Sequence, residues 1–142
     1  METIKVLYHN KALPHLYAIQ SGDWIDLRSA ETIETTEGDY YLIRLGIGMI
    51  LPDGYEAHIL PRSSTFKKYG IVMTNSTGII DNSYSGDDDE WRFPALATRH
   101  AVIRKGDRIA QFRIVKNQPP ISFDVVDHLN DTSRGGFGST GV

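Results

Sequence analysis

The chain has 142 residues, 40% of them hydrophobic and 23% charged, which suits one packed domain and is too apolar for a disordered segment. Its 15 basic and 18 acidic residues leave a net charge of −3, which offers no electrostatic footprint for nucleic acid or an anionic membrane surface; a small charged molecule stays open, because a local cluster can oppose the global sign. The lack of cysteine excludes disulfides, thiolate metal sites and cysteine nucleophiles. The opening METIKVLYHN has no signal-peptide architecture and no apolar run approaches about 18 residues, so a soluble, cytoplasmic protein is expected.

In chain order, short apolar segments at 4–8, 41–51, 55–60, 71–74, 93–97, 101–104, 108–115 and 121–126 read as strands. Turn formers separate them: Pro52-Asp53-Gly54, the stretch 81–86, Lys105-Gly106-Asp107 and Pro119-Pro120. Residues 64–69 read as a single helical turn with Ser64 placed to cap it. No repeat is visible, and the pattern predicts an all-β sandwich, jelly roll or barrel. From 130 onwards the chain carries glycines and no aliphatic run, so we divide it into a β domain over 1–129 and a mobile arm over 130–142.

Most catalytic signatures are missing. Gly136–Gly141 has the form G-x-G-x-x-G, but no helix can follow it; there is no P-loop lysine and no G-x-S-x-G elbow. His9, His15, His58, His100 and His128 lack ligand spacing and suit core or surface roles. Pro61-Arg62-Ser63-Ser64 offers a planar cation and two hydroxyls for phosphate oxygens. It reads equally as a capping serine beside a surface arginine. Gly78-Ile79-Ile80-Asp81-Asn82-Ser83-Tyr84-Ser85-Gly86 puts a carboxylate where a strand ends, as a turn former or as a catalytic acid. The run Asp87-Asp88-Asp89-Glu90 reads as a solvated loop.

Taken together, these segments resemble the five motifs of the trimeric dUTPase family, in the family's order. They are Gly22-Asp23-Trp24-Ile25-Asp26-Leu27; Pro61 to Gly70; Gly78 to Gly86 with Asn75 upstream; Gly106-Asp107-Arg108-Ile109-Ala110-Gln111; and Arg134 to Gly141. The approach to Asp26-Leu27 is longer than usual, and Arg134 lies about two positions late relative to Phe137.

The resemblance implies a jelly-roll homotrimer with active sites shared between subunits. The implied reaction is Mg2+-dependent hydrolysis of dUTP to dUMP and pyrophosphate, which limits uracil in DNA and supplies dUMP for dTMP synthesis. Asp81 would activate a water that attacks the α-phosphorus. Arg62, Ser63, Ser64 and Gln111 would hold phosphate oxygens, and Asp26 would act in the magnesium's outer shell through water. Backbone groups of Gly78, Ile79, Ile80 and Asp81, with Asn75, would read uracil. Tyr84 would pack on the deoxyribose. Arg134, Phe137, Gly138, Ser139 and Thr140 would close over the nucleotide as a lid, with Phe137 stacking on uracil and Trp91 or Phe93 as substitutes. The rivals are a dCTP deaminase of the same fold and a dUTP-binding regulatory protein without essential turnover.

Overall fold

The computed structural model describes residues 2–16 and 22–138. Within them the elements run β1 (Lys5–Tyr8), β2 (Ile25–Arg28), β3 (Ile33–Thr35), β4 (Tyr40–Arg44), β5 (Ile47–Ile50), β6 (Tyr55–Pro61), α1 (Thr65–Tyr69), β7 (Ile71–Met73), β8 (Gly78–Ile80), β9 (Arg92–Ala97), β10 (Ala101–Ile103) and β11 (Arg108–Lys116). Every ladder is antiparallel, in sheets of order β1-β5, β3-β10, β2-β11-β6-β8 and β4-β9-β7. The expected all-β architecture is therefore present.

Three expectations are corrected. The apolar run 41–51 is two strands, because Gly46 turns the chain at φ 71°. A Cβ there would stand 2.6 Å from Leu13 Cδ1, so both the backbone angle and the packing demand glycine. The segment 121–126 forms no strand with the rest of its own chain, and its side chains are exposed. Finally, Ser64 makes no side-chain cap on α1. Thr65, fully buried, ties the helix start to its surroundings instead: its Oγ1 accepts from the Arg62 amide at 2.8 Å and donates to the Ile109 carbonyl at 2.8 Å.

The core lies between the β4-β9-β7 and β2-β11-β6-β8 sheets. Phe93 and Ala95 of β9 meet Ile59 of β6 and Phe112 of β11 in one buried cluster. The Trp91 ring sits edge-on to Phe112, centroids 5.2 Å apart, a favourable aromatic geometry. The opposite face of the three-stranded sheet is also apolar. Tyr40, Leu96 and Val72 align across β4, β9 and β7 and stay 58%, 39% and 42% exposed. The row leaves an apolar strip on the outer face of this sheet.

Candidate functional site

Four of the five motif segments converge on one sheet. Asp26 on β2 pairs with Gln111 on β11; Gln111 pairs with Leu60 near the end of β6, and Gly78 on β8 pairs with Ile59. Residues scattered through the sequence thus become lateral neighbours.

At the C-terminal end of β6 the first, second and fourth of these segments build an anion corner. Arg62 Nε lies 3.0 Å from Asp26 Oδ1, and Arg108 Nη1 lies 3.3 Å from Asp26 Oδ2. Gln111 Nε2 donates to the Pro61 carbonyl at 3.0 Å, which fixes its amide beside them. Ser63 is exposed and Ser64 half-buried, with neither hydroxyl spent on a cap. Both arginines remain partly accessible, so an incoming phosphate can exchange with the Asp26 carboxylate. Beside this corner, burial pushes the Tyr69 phenol up to about 12, with Asp107 adding to the shift and Arg62 and Arg108 opposing it. Tyr69 therefore stays neutral and structural.

At the other end of the sheet, β8 is the last strand in the order, so its outer edge has no strand partner among the described residues. That edge opens on a cleft of about 370 Å3 whose lining includes Asn75, Ile79, Ile80, Asp81 and Tyr84. Asp81 leads the turn after β8. The Ser83 hydroxyl and the Ser83 amide, the latter at 2.8 Å, both donate to its Oδ1. The hydroxyl first and the amide second hold the Asp81 carboxyl below its ordinary value. Ser83→Ala removes the larger of these. We expect the titration of the Asp81 carboxyl, followed by NMR, to move to higher pH, because the depressed pKa keeps the carboxylate ionised at pH values where an ordinary one would protonate. An unmoved titration would contradict the Ser83 hydroxyl as the main cause.

The two ends are far apart on one chain. Asp81 follows the Ala57–Ile80 pair and so stands level with Glu56, and Arg62 lies beyond the other end of β6. At about 3.4 Å per residue, Glu56 to Arg62 spans roughly 20 Å. None of Asp26, Arg62, Ser63, Ser64 and Gln111 lines the Asp81 cleft.

The arm residues stand apart from both ends. Arg134 is exposed, Phe137 is wholly exposed with φ 50°, and Gly138 has φ 89°. Ser139 and Thr140 lie outside the described residues. Phe93 has no exposed surface, belongs to the core and is no stacking ring; Trp91 has no exposed surface either, though it borders the Asp81 cleft. The acidic run is not simply a solvated loop either. Asp87 and Asp88 are exposed, but Glu90 is buried at 5%, bound by Arg44 Nε at 3.2 Å and the Gly46 amide at 2.9 Å. The sequence alone assigns no individual role in the site to Arg108, Ser83 or Glu90. Ser83 was detectable, since a hydroxyl two residues after an aspartate is a common turn partner. Glu90 carried only the weaker sign of ending an acidic run before Trp91-Arg92-Phe93. Among the described residues no group of three or more His, Asp or Glu could hold a metal ion.

A corner with two partly accessible arginines and an edge-strand cleft on one antiparallel β chain suit a nucleotide ligand, with phosphate at the first and a base at the second. The comparisons narrow this class. The dUTPase family model matches residues 21–141. The chain is 50% identical over 139 residues to the SPbeta prophage-derived deoxyuridine 5'-triphosphate nucleotidohydrolase of Bacillus subtilis (strain 168), covering 98% of each chain. A variant of the Staphylococcus bacteriophage 80alpha dUTPase with dUpNHpp superposes with TM-score 0.76 at 21% identity, covering 100% of both chains. A variant dUTPase from phage phi11 of S. aureus, described with a structural Mg(II) ion, superposes with TM-score 0.73 at 19% identity, over 89% of this chain and 98% of that one. The chain belongs to the dUTPase family, and its fold is the family's jelly roll.

Proposed function

We propose that the protein hydrolyses dUTP to dUMP and pyrophosphate as a homotrimer whose active sites are shared between subunits. The separation of Asp81 from Arg62 carries this reading. A base that activates a water and a cation that holds the attacked phosphate must meet within a few ångströms of one phosphorus, and one protomer keeps them roughly 20 Å apart at about 3.4 Å per residue. A second copy can bring its Arg62 corner to the first copy's Asp81 cleft. The uncovered row Tyr40, Leu96 and Val72 supplies apolar surface for such an assembly, as do Phe123 and Val125, which are 90% and 96% exposed in an extended segment.

In this site Asp81 Oδ1 is held by Ser83, and we assign Oδ2 to the water. As that water's oxygen bonds to the α-phosphorus, Asp81 takes its proton and the bond from the α-phosphorus to the bridging oxygen breaks, releasing pyrophosphate. Arg62, Ser63, Ser64 and Gln111 hold phosphate oxygens and stabilise charge there. The donor set fits a magnesium ion that travels with the triphosphate rather than one caged by protein: among the described residues no group of three or more His, Asp or Glu could hold it, and Asp26, once phosphate occupied Arg62 and Arg108, would face its water shell. When bound, the ion neutralises triphosphate charge.

Uracil is read by the outer edge of β8 at Gly78, Ile79 and Ile80, with Asn75 assisting. Cytosine reverses the donor and acceptor pattern, and each buried group left unpaired costs about 1–3 kcal/mol. Discrimination against thymine falls to the fit of its methyl group against the cleft lining. The buried carboxylate Glu90 is tied to Arg44 and Gly46, so it is not available to shuttle the protons of a deaminase. Residues 130–142 form the lid, with Arg134, Phe137, Gly138, Ser139 and Thr140 completing the site. Tyr84 packs on the deoxyribose and bars a 2′-hydroxyl. Tyr84→Ala should narrow the kcat/KM gap between dUTP and UTP, and an unchanged gap in the folded variant assigns sugar selection elsewhere.

The shared site is tested by complementation. Asp81→Asn and Arg62→Ala chains are each assembled alone and then refolded together, with light scattering checking for three times the 15.9 kDa chain. Random 1:1 mixing places an intact Asp81 beside an intact Arg62 of a neighbour at about one quarter of the sites. Activity should return in the mixture alone. A mixture as inactive as its parents places both residues on one chain and ends the proposal.

A further inference from the structure

We infer that Glu90 is a positioning residue for sugar selection: its buried carboxylate anchors the loop whose carbonyl fixes the Tyr84 ring at the cleft. This rests on the reading of Tyr84 as the group that excludes a 2′-hydroxyl.

The Tyr84 hydroxyl donates to the Glu90 carbonyl oxygen at 2.9 Å. The ring is 37% exposed and lines the cleft beside Asp81, so packing alone leaves it room to swing. Its angle is therefore as firm as that carbonyl. Glu90 is held on both carboxylate oxygens: Arg44 Nε lies 3.2 Å from Oε1 and 3.3 Å from Oε2, and the Gly46 amide donates to Oε2 at 2.9 Å. Gly46 is the residue whose φ of 71° separates β4 from β5, and Arg44 ends β4. The carboxylate thus ties the loop to a rigid turn between two strands. The backbone closes the connection from the other side: the Trp91 amide donates to the Ile47 carbonyl at 2.8 Å, and the Asp89 carboxylate accepts from the Gly86 amide at 2.8 Å.

A charge 5% exposed is retained at a desolvation cost. Here it has two partners and leads directly to the residue that meets the sugar. Discrimination against a single hydroxyl requires a wall that does not yield, because a ring free to shift by about an ångström admits the extra oxygen.

The test is kcat/KM for dUTP and UTP in Tyr84→Ala, Tyr84→Phe, Glu90→Ala, Glu90→Gln and the Tyr84→Phe/Glu90→Ala double variant. Loss of one anchoring hydrogen bond should raise UTP use relative to dUTP about fivefold in Tyr84→Phe and in Glu90→Ala. The double variant should lose no more than either single one, since both cut the same connection. Glu90→Gln, which still accepts from Arg44 and Gly46, should keep the parent ratio. A role confined to stability would lower the melting temperature and leave the ratio in place. An unchanged ratio in Glu90→Ala beside a shifted Tyr84→Ala overturns the anchor alone. An unchanged ratio in Tyr84→Ala removes the sugar reading and this one with it. Should Glu90→Ala not fold, Tyr84→Phe still decides, because it keeps the ion pair and an unmoved ratio there overturns the anchor.

Discussion

Asp81→Asn should reduce kcat by about 10²–10⁴ while dUTP still binds. The substitution preserves shape, and its amide oxygen can still accept both Ser83 bonds, so the turn after β8 keeps its form. What it cannot do is accept a proton from water. The change therefore appears in kcat, while the Kd for a non-hydrolysable analogue stays near that of the parent. Because Asp81 is exposed, the folded state does not depend on its charge, and melting temperature should shift little. Near-normal kcat in the variant would refute Asp81 as the base.

Removal of the arm after Asp131 should be nearly as damaging to turnover, by about a hundredfold, without loss of the folded assembly. The last strand ends at Lys116, and residues 116–135 are exposed, so the described part of the deleted stretch contributes little to the core of its own chain. In the proposed site it excludes water and adds donors around the triphosphate. Phe137→Ala isolates one part of this. A wholly exposed phenylalanine has no packing to lose in the unbound protein, so its effect should fall on KM, raised about tenfold if the ring stacks on the base. Full activity after truncation discards the lid. A fully active Phe137→Ala beside an inactive truncation keeps the lid and removes the stacking ring, with no substitute from Phe93, which is sealed in the core.

The sequence was most legible where local chemistry and tertiary structure agree. The run 108–115 became β11 almost unchanged, because its apolar residues pack inward while both edges find partners. Ile25–Arg28 and Ile33–Thr35 escaped notice because they are short, and β2 alternates with charges that serve the anion corner. Residues 41–51 read as one strand because nothing in an apolar run reveals that Gly46 must turn against Leu13 and Ala30. The opposite error at 121–126 has a related cause. Its alternating apolar side chains are a valid strand pattern, but no sheet of this chain takes the segment in. The motif residues were legible one by one. Their division between two ends of a sheet was not, because it depends on the register of β6 against β8 and β11. Glu90 was read as solvated from its acidic neighbours, and only the fold shows Arg44 and Gly46 closing on it.

Substrate choice tests the central claim most directly. Pyrophosphate release should be measured with dUTP, dCTP, dTTP and UTP in parallel, with ammonia followed in the dCTP reaction. The edge of β8 and the Tyr84 wall predict rapid release from dUTP, little from the other three, and no ammonia. Comparable release from all four, or ammonia from dCTP, would contradict the account.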